Sequence, residues 1–274
     1  MELERRWELI DGLCSLAREA GERIMTVYGR DFEVETKEDD SPLTEADTAA
    51  HERLMAGLQQ LTPDIPILSE EGGVPSLEER GGWRDYWLVD PLDGTKEFIK
   101  KNGEFTVNIA LIEDQRPVIG VVHAPALGKT YLGVKGKGAF IEDEGGRRPI
   151  HTRAVPEEDP MVLVVSRSHR GAAIDSLLER LPEHETTSVG SSLKFCLVAE
   201  GEADLYPRFG PTSEWDTGAA QCVVEAAGGR VTRVDLAPLA YNTKESILNP
   251  DFLVLGDPSY DWSGYLEGFT VEER

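Results

Sequence analysis

Cysteine is nearly absent from this 274-residue chain, and the three that occur, Cys14, Cys196 and Cys222, stand singly and far apart. That spacing excludes a zinc ligand pair and an even-numbered disulfide framework. Each lies in an apolar helical context, so all three are expected as buried, reduced thiols. Long apolar runs are missing as well. Nothing approaches the roughly 20 residues that cross a bilayer, and the opening MELERRWELIDGL is charged and amphipathic where a signal peptide would be apolar. A cytoplasmic protein with no membrane span is expected. Basic residues are outnumbered, 28 Lys and Arg against 51 Asp and Glu, for a formal net charge of −23. A nucleic-acid partner needs clustered cations to displace counterions, so it is excluded in favour of small ligands or metal ions. Most of these acids serve solubility. The few that directly follow apolar strands call for a separate reading.

With 40% hydrophobic residues the chain fills one large core or two intimately packed ones. Leu3, Trp7, Ile10, Leu13, Ala17, Ala20, Ile24 and Val27 recur at spacings of three and four, which predicts an amphipathic helix over 3–28 stopped by Gly29. A second helix is predicted from near Thr44 to before Pro63. Short strands at 65–69 and 86–89 each run into carboxylates. Segments 105–112, 117–124 and 129–134, parted by Asp114-Gln115 and Gly128, read as an antiparallel meander. The second half alternates: strands at 161–166, 185–189, 203–207, 230–234 and 252–256, helices at 172–181, 191–200 and 215–227, an α/β pattern. Val155 to Pro160 breaks both periodicities and places a boundary between regions 1–155 and 156–274.

The most informative stretch runs from Trp87 to Phe98. A strand delivers Asp90, Pro91 turns the chain out of regular structure, and Asp93 follows ahead of Gly94. Two carboxylates and the Leu92 carbonyl then offer three oxygen ligands to a hard cation such as Mg²⁺. A helix starting after Asp93 would turn the amides of Gly94 and Thr95 toward an anion. Taken alone, Asp93 could equally be a helix N-cap on a polar turn. Glu70-Glu71 and Asp216 end elements in the same manner, though the first pair could be a solvated turn and Asp216 an N-cap. Asp47 fits a variant capping box from Thr44 as well as it fits a functional role.

In this order, Glu70-Glu71, Asp90-Pro91-Leu92-Asp93-Gly94-Thr95 and Trp215-Asp216-Thr217-Gly218-Ala219-Ala220 resemble the three signature segments of the inositol monophosphatase-like metal phosphatases. Longer runs, among them Ser41 to Thr44, Lys96 to Lys100, Asn102 to Asn108, Ser166 to His169, Gly190 to Cys196 and Leu205 to Pro211, are similar to the CysQ-type 3′(2′),5′-bisphosphate nucleotidases within that family. The resemblance covers nearly the whole chain. Residues 142–149 and the tail after Gly256 depart from the family pattern.

The resemblance implies a layered sugar-phosphatase fold of alternating αβαβα layers, with an N-terminal α+β region, a C-terminal α/β region and the site between them. It implies two Mg²⁺ ions, one at Glu70, Asp90 and the Leu92 carbonyl and one at Asp90, Asp93 and Asp216, with a third ion touching Asp47 in some nucleotidases. Asp47 and Thr95 would orient the attacking water, Glu71 standing behind the ligands. Glu70, Leu92, Asp93, Gly94, Thr95 and Asp216 would also meet the substrate. Lys194 and Arg208, with Ser191 and His169 near them, would hold the phosphate that does not react. The implied substrate is 3′-phosphoadenosine 5′-phosphate, cleaved to AMP and phosphate by in-line attack without a covalent intermediate, with lithium as an inhibitor. Its sulfated relative, 3′-phosphoadenosine 5′-phosphosulfate, is a further candidate, and the recycling of sulfur-assimilation by-products the implied setting. A monomer and a homodimer both fit. The rival activity is another phosphatase of the same fold acting on inositol monophosphate or a sugar phosphate. The rival outside enzymes, a cation sensor or buffer, lacks an EF-hand loop here.

Overall fold

The computed structural model describes residues 1–36, 42–166, 171–272 and 274. The three-and-four spacing of apolar residues folds as α1 (Leu3–Tyr28), which buries Leu9, Ile10, Leu13, Ala17, Ala20, Ile24 and Val27 and ends at Gly29. Two short strands, β1 (Glu35–Thr36) and β2 (Pro42–Leu43), pair antiparallel ahead of α2 (Glu45–Leu61). Among the described residues no helix is long and apolar enough to cross a membrane.

A seven-stranded sheet follows in chain order: β3 (Ile67–Ser69), β4 (Asp85–Asp93), β5 (Thr106–Glu113), β6 (Arg116–Ala124), β7 (Lys129–Val134), β8 (Gly138–Asp143) and β9 (Gly146–Ile150). Between them sit two short helices, α3 (Leu77–Arg80) and α4 (Thr95–Ile99). The β3–β4 pair is parallel, and β4 to β9 are antiparallel to their neighbours. Asp114 and Gln115 both hold positive φ, 46° and 65°, the left-handed backbone that a two-residue hairpin between right-twisted strands requires. Residues 142–149 fall in the β8–β9 hairpin.

The second sheet orders β10 (Met161–Val164), β11 (His184–Thr187), β12 (Leu205–Arg208), β13 (Arg230–Arg233) and β14 (Phe252–Leu255) as β11-β10-β12-β14-β13. It is mixed, with β10 parallel to β11 and β12, and β14 antiparallel to β12 and β13. Its companions are α5 (Ala172–Leu178), α6 (Leu193–Ala199) and α7 (Gly218–Ala226).

Strand alternation builds the layers. Along β4, Trp87 and Val89 face the α1 and α2 core, while Tyr86 and Leu88 face the opposite core. That second core contains α6 and α7 and is closed by Tyr206, Phe252 and Val254 of the other sheet. Leu205, Leu253 and Leu255 alternate outward onto α5 and the 262–266 segment. The result is the expected αβαβα stack. The α6 and α7 layer is shared, so α7, which lies in the second half of the chain, packs on the first sheet. The close approach needs glycine: a Cβ on Gly120 of β6 would lie 2.1 Å from the Ala219 carbonyl oxygen, and one on Gly133 of β7 2.7 Å from Val223 Cα.

Candidate active site

Strands β3 and β4 run parallel with Ser69 beside Val89, so the residues that follow, Glu70 and Asp90, emerge side by side. Beyond Asp90 the sequence pattern predicts an exit from regular structure at Pro91, but β4 continues to Asp93 with a bulge. Pro91 has no N–H for the ladder, and one extra residue is accommodated there. Asp90 pairs with Asn108 and Asp93 with Thr106, and these partners are two apart on β5. They share a face, so the bulge cancels the alternation that would otherwise send Asp90 and Asp93 to opposite sides.

Asp216 comes from the other half of the chain. It lies in a 3₁₀ turn, Glu214–Asp216, just before α7 and not in the helix itself. Its Oδ2 accepts from Ser213 N at 2.9 Å, so the capping role and the convergence occur together. Glu70, Asp90 and Asp216 each bring a carboxylate oxygen within 4.8 Å of the others. Burial and like charge act jointly here. Asp90 is fully buried, and that desolvation, reinforced by Glu70, Asp93 and Asp216, holds its carboxyl well above the usual carboxylate range. Asp216 is pushed up to about 8 by burial and by Asp93 and Glu70. Asp90 Oδ1 accepts from Leu92 N at 3.0 Å, while its buried Oδ2 meets no hydrogen-bond donor among the described residues. A buried oxygen without a donor, amid like-charged carboxylates that raise Asp90 and Asp216, is the donor set a hard divalent cation satisfies.

Asp93 stands beside this trio and is tied elsewhere. Its Oδ2 accepts from both Ser192 N and Ser192 Oγ at 2.7 Å, with Asn108 Nδ2 and Thr106 Oγ1 at 3.4 Å. Asn108 Nδ2 also reaches Ser192 Oγ at 2.7 Å, and the Thr106 and Ser191 hydroxyls are 2.9 Å apart. Ser192, Asn108 and Thr106 are buried, and the network fastens the first sheet to the start of α6. Sequence reading placed Ser192 and Asn108 inside similar runs but gave them no role, because their partner, Asp93, is brought to them only by the fold.

Asp47 is the helix cap and also reaches toward Thr95. Its Oδ2 accepts from Thr44 N at 2.8 Å and Thr44 Oγ1 at 2.7 Å, completing the capping box of α2. Its Oδ1 lies 3.3 Å from Thr95 Oγ1, which is also 3.3 Å from the Leu92 carbonyl oxygen. Behind Glu70, His51 Nδ1 and Ser69 Oγ are 3.0 Å apart, linking α2 to the strand that delivers the carboxylate. Gly94 caps α4 at φ 93°, a left-handed turn, and a Cβ there would lie 3.1 Å from the Glu104 carbonyl oxygen and from Ser191 Cβ.

A cleft of about 360 Å³ opens beside these groups, and of the expected substrate residues Asp93, Gly94, Ser191, Lys194, Arg208 and Asp216 line it. His169 lies outside the described residues. Lys194 Nζ is 3.4 Å from the Val189 carbonyl oxygen and 5.8 Å above the Tyr206 ring, and burial lowers its pKa to about 8. Arg208 is fixed by Nε to Thr212 Oγ1 at 2.7 Å and by Nη2 to the Pro211 carbonyl at 2.6 Å. Lys96, Glu97, Ser166 and Thr212 line the same cleft and were not singled out from sequence. A wider cleft of about 720 Å³ between Arg30–Glu35 and α2 contains none of the cluster carboxylates.

The sequence model of the inositol monophosphatase family matches residues 6–257. A 3′(2′),5′-bisphosphate nucleotidase CysQ of Escherichia coli K12 is 54% identical over 248 residues, 90% of this chain and 99% of the relative. The protein of the same name from Haemophilus influenzae is 37% identical over 93% of this chain and 95% of its own length. The crystal structure of CysQ from Bacteroides thetaiotaomicron superimposes with a TM-score of 0.78 at 40% identity, covering 92% of this chain and 97% of that one. Thermotoga maritima IMPase aligns with a TM-score of 0.75 at 25% identity, covering 91% and 92%. With the carboxylate cluster on the same layered scaffold, the chain belongs to the inositol monophosphatase family.

Proposed function

We propose that this phosphatase is a Mg²⁺-dependent 3′(2′),5′-bisphosphate nucleotidase that cleaves 3′-phosphoadenosine 5′-phosphate to AMP and phosphate. One observation carries the reading: a single cleft presents Asp216 of the carboxylate trio and its neighbour Asp93 together with the cations Lys194 and Arg208. A substrate with one phosphate to lose and a second to be held matches that layout. The 54% identity to the E. coli nucleotidase over nearly all of its length supports it. Residues 1–155 would supply the metal ligands and water-handling groups, and 156–274 the nucleotide contacts and Asp216. Three buried free thiols suit a reducing cytoplasm.

Glu70, Asp90, Asp93, Asp216 and the Leu92 carbonyl would hold two Mg²⁺ ions, with a third beside Asp47, supplying charge neutralisation at the phosphoryl oxygens and a more acidic attacking water. The chain's own groups then orient the reaction. Thr95 Oγ1 has one proton to donate and two acceptors in reach, Asp47 Oδ1 and the Leu92 oxygen, which leaves its lone pairs to accept from a water. A water hydrogen-bonded there would be aimed at phosphorus; as its oxygen bonds to phosphorus and the P–O3′ bond breaks, Asp47 would receive its proton through the Thr95 hydroxyl and the departing O3′ would take a proton from solvent water. Ser192 and Asn108, by occupying Asp93 Oδ2, would leave Oδ1 to be offered to an ion. Arg208, locked on two sides, presents a preset plane to the 5′-phosphate.

The test is phosphate release from 3′-phosphoadenosine 5′-phosphate and inositol 1-phosphate, side by side, with Mg²⁺, with EDTA and with added Li⁺. The reading predicts kcat/KM higher on the nucleotide by about 100-fold or more, the scale of two cation contacts to a phosphate, with loss in EDTA and suppression by Li⁺. Preference for inositol phosphate would overturn the substrate.

A further inference from the structure

Residues after 257 lie beyond the family match, yet 260–269 pack onto the outer face of the second sheet. Trp262 and Leu266 are buried against Leu205 and Leu253. Further along, Phe269 stacks on Phe209, with ring centroids 5.3 Å apart and planes at 21°. Arg180 lies over the Phe269 ring at 5.1 Å and donates from Nη1 to the Glu267 carbonyl at 2.5 Å. Arg274 Nη2 donates to Asp251 Oδ1 at 2.8 Å, and the same oxygen accepts from Gly210 N at 2.9 Å. The Phe269 contact falls on Phe209 directly and the Arg274 contact reaches Gly210 through Asp251, the two residues that follow Arg208 being Phe209 and Gly210.

That location matters because the β12–β14 ladder has its last pair at Arg208 and Phe252. Past it, the far end of the turn 209–212 is held by Asn249 N donating to the Thr212 carbonyl at 2.8 Å and by the Ser213–Leu248 bridge, while its near end, Phe209 and Gly210, depends on the tail and on Asp251; this turn carries both anchors of the guanidinium, the Pro211 carbonyl and the Thr212 hydroxyl. Strand alternation puts Tyr206 and Arg208 toward the cleft and Phe209 toward the outer layer, so a grip on Phe209 and Gly210 from outside sets the angle at which Arg208 enters from inside. A planar guanidinium meeting a phosphate is sensitive to that angle.

We propose that Phe269 and Arg274 are positioning residues for substrate recognition, clamping the 209–212 turn so that Arg208 is held ready for the phosphate that does not react. This rests on the role given to Arg208 above. The tail acts on affinity for the second phosphate and leaves the hydrolytic step alone.

Steady-state kinetics at saturating Mg²⁺ on Arg274→Ala, Arg274→Lys, Phe269→Ala and Arg208→Ala test this, each on 3′-phosphoadenosine 5′-phosphate and on adenosine 3′-monophosphate, with melting temperatures in parallel. Arg274→Ala and Phe269→Ala are expected to raise KM for the bisphosphate by about three- to tenfold, the scale of one misplaced charge-assisted contact. Their kcat should stay within about twofold of wild type and KM for the monophosphate should not move, the signature of lost uniform binding. Arg274→Lys should recover part of the loss. Should Phe269→Ala fail to fold, Arg274→Ala, which removes no core atom, decides. Equal KM changes on both substrates, or a lower melting temperature with both KM values unchanged, would overturn the clamp. If Arg208→Ala separates the substrates and the tail variants do not, the clamp alone is wrong. If Arg208→Ala itself fails to separate them, the role of Arg208 and the clamp fall together.

Discussion

Asp47, Asp93 and Lys194 carry the account at the level of single residues. Asp47 was equally readable as a cap or as a functional acid because spacing shows only one neighbour at a time; the fold gives each of its oxygens a separate partner. The strand-end carboxylates could be read from the chain since apolar runs ending in acid are a local pattern. Ser192 could not, because its contact with Asp93 spans 99 positions. Replacing Ser192 with Ala removes one of two short hydrogen bonds to Asp93 Oδ2 and should raise the Mg²⁺ concentration for half activity by about tenfold or more, as loss of a group supporting a metal ligand does. Unchanged Mg²⁺ dependence would detach Ser192 from the site. Lys194 yields a pH signature. With its pKa lowered to about 8 by burial, it discharges as pH rises through that value, so KM for the bisphosphate nucleotide should climb above pH 8. KM for adenosine 3′-monophosphate should not follow, and a parallel climb on both substrates would assign the titration to another group.

Among elements, the bulge in β4 and the seating of α7 decide the site. The expectation that Pro91 ends the strand failed because a bulge lets the ladder resume at Asp93, and a register shift has no local signature. The helix at 215–227 was recognised, but its place against β6 and β7 was not, since nothing near Ala219 encodes the distant glycines that admit it. Gly120 is therefore a sensitive point. Gly120→Ala sets a methyl against the Ala219 carbonyl and should destabilise the chain by about 1–3 kcal/mol, the usual cost of overpacking. Chemical denaturation measures this, and a variant as stable as wild type would contradict the close packing of α7 that holds Asp216 in place. The α1 helix and the β5 to β7 meander, by contrast, were readable almost to the residue, as each has a continuous local periodicity.

For the molecule as a whole, gathering Glu70, Asp90 and Asp216 within 4.8 Å of one another, beside Asp93, costs electrostatic stability. The Asp216 carboxyl is pushed from 3.8 to about 8, and that of Asp90 is raised too. The folded chain thus holds protons that the unfolded chain releases. Their contribution to stability is complete below the ordinary value near 3.8 and is lost as pH rises through about 8. In EDTA the melting temperature should therefore fall between about pH 5 and pH 8.5. Mg²⁺ should restore it most at the alkaline end, where ions take the place of protons. Calorimetry with and without the ion measures both, and a metal-free melting temperature that rises across that range would refute the electrostatic description.

The central claim is that Glu70, Asp90, Asp93 and Asp216 form a Mg²⁺ site on which phosphate-ester hydrolysis depends. It is tested most directly by stripping the protein with EDTA and measuring phosphate release from 3′-phosphoadenosine 5′-phosphate as Mg²⁺ is added back, in wild type and in Asp90→Asn. The account predicts no release from the stripped wild type and full recovery with Mg²⁺. It also predicts a folded Asp90→Asn that remains about 1000-fold or more below wild type at saturating ion, since a central charge of the site is gone. Release that persists without metal, or an Asp90→Asn variant near wild-type turnover, would contradict it.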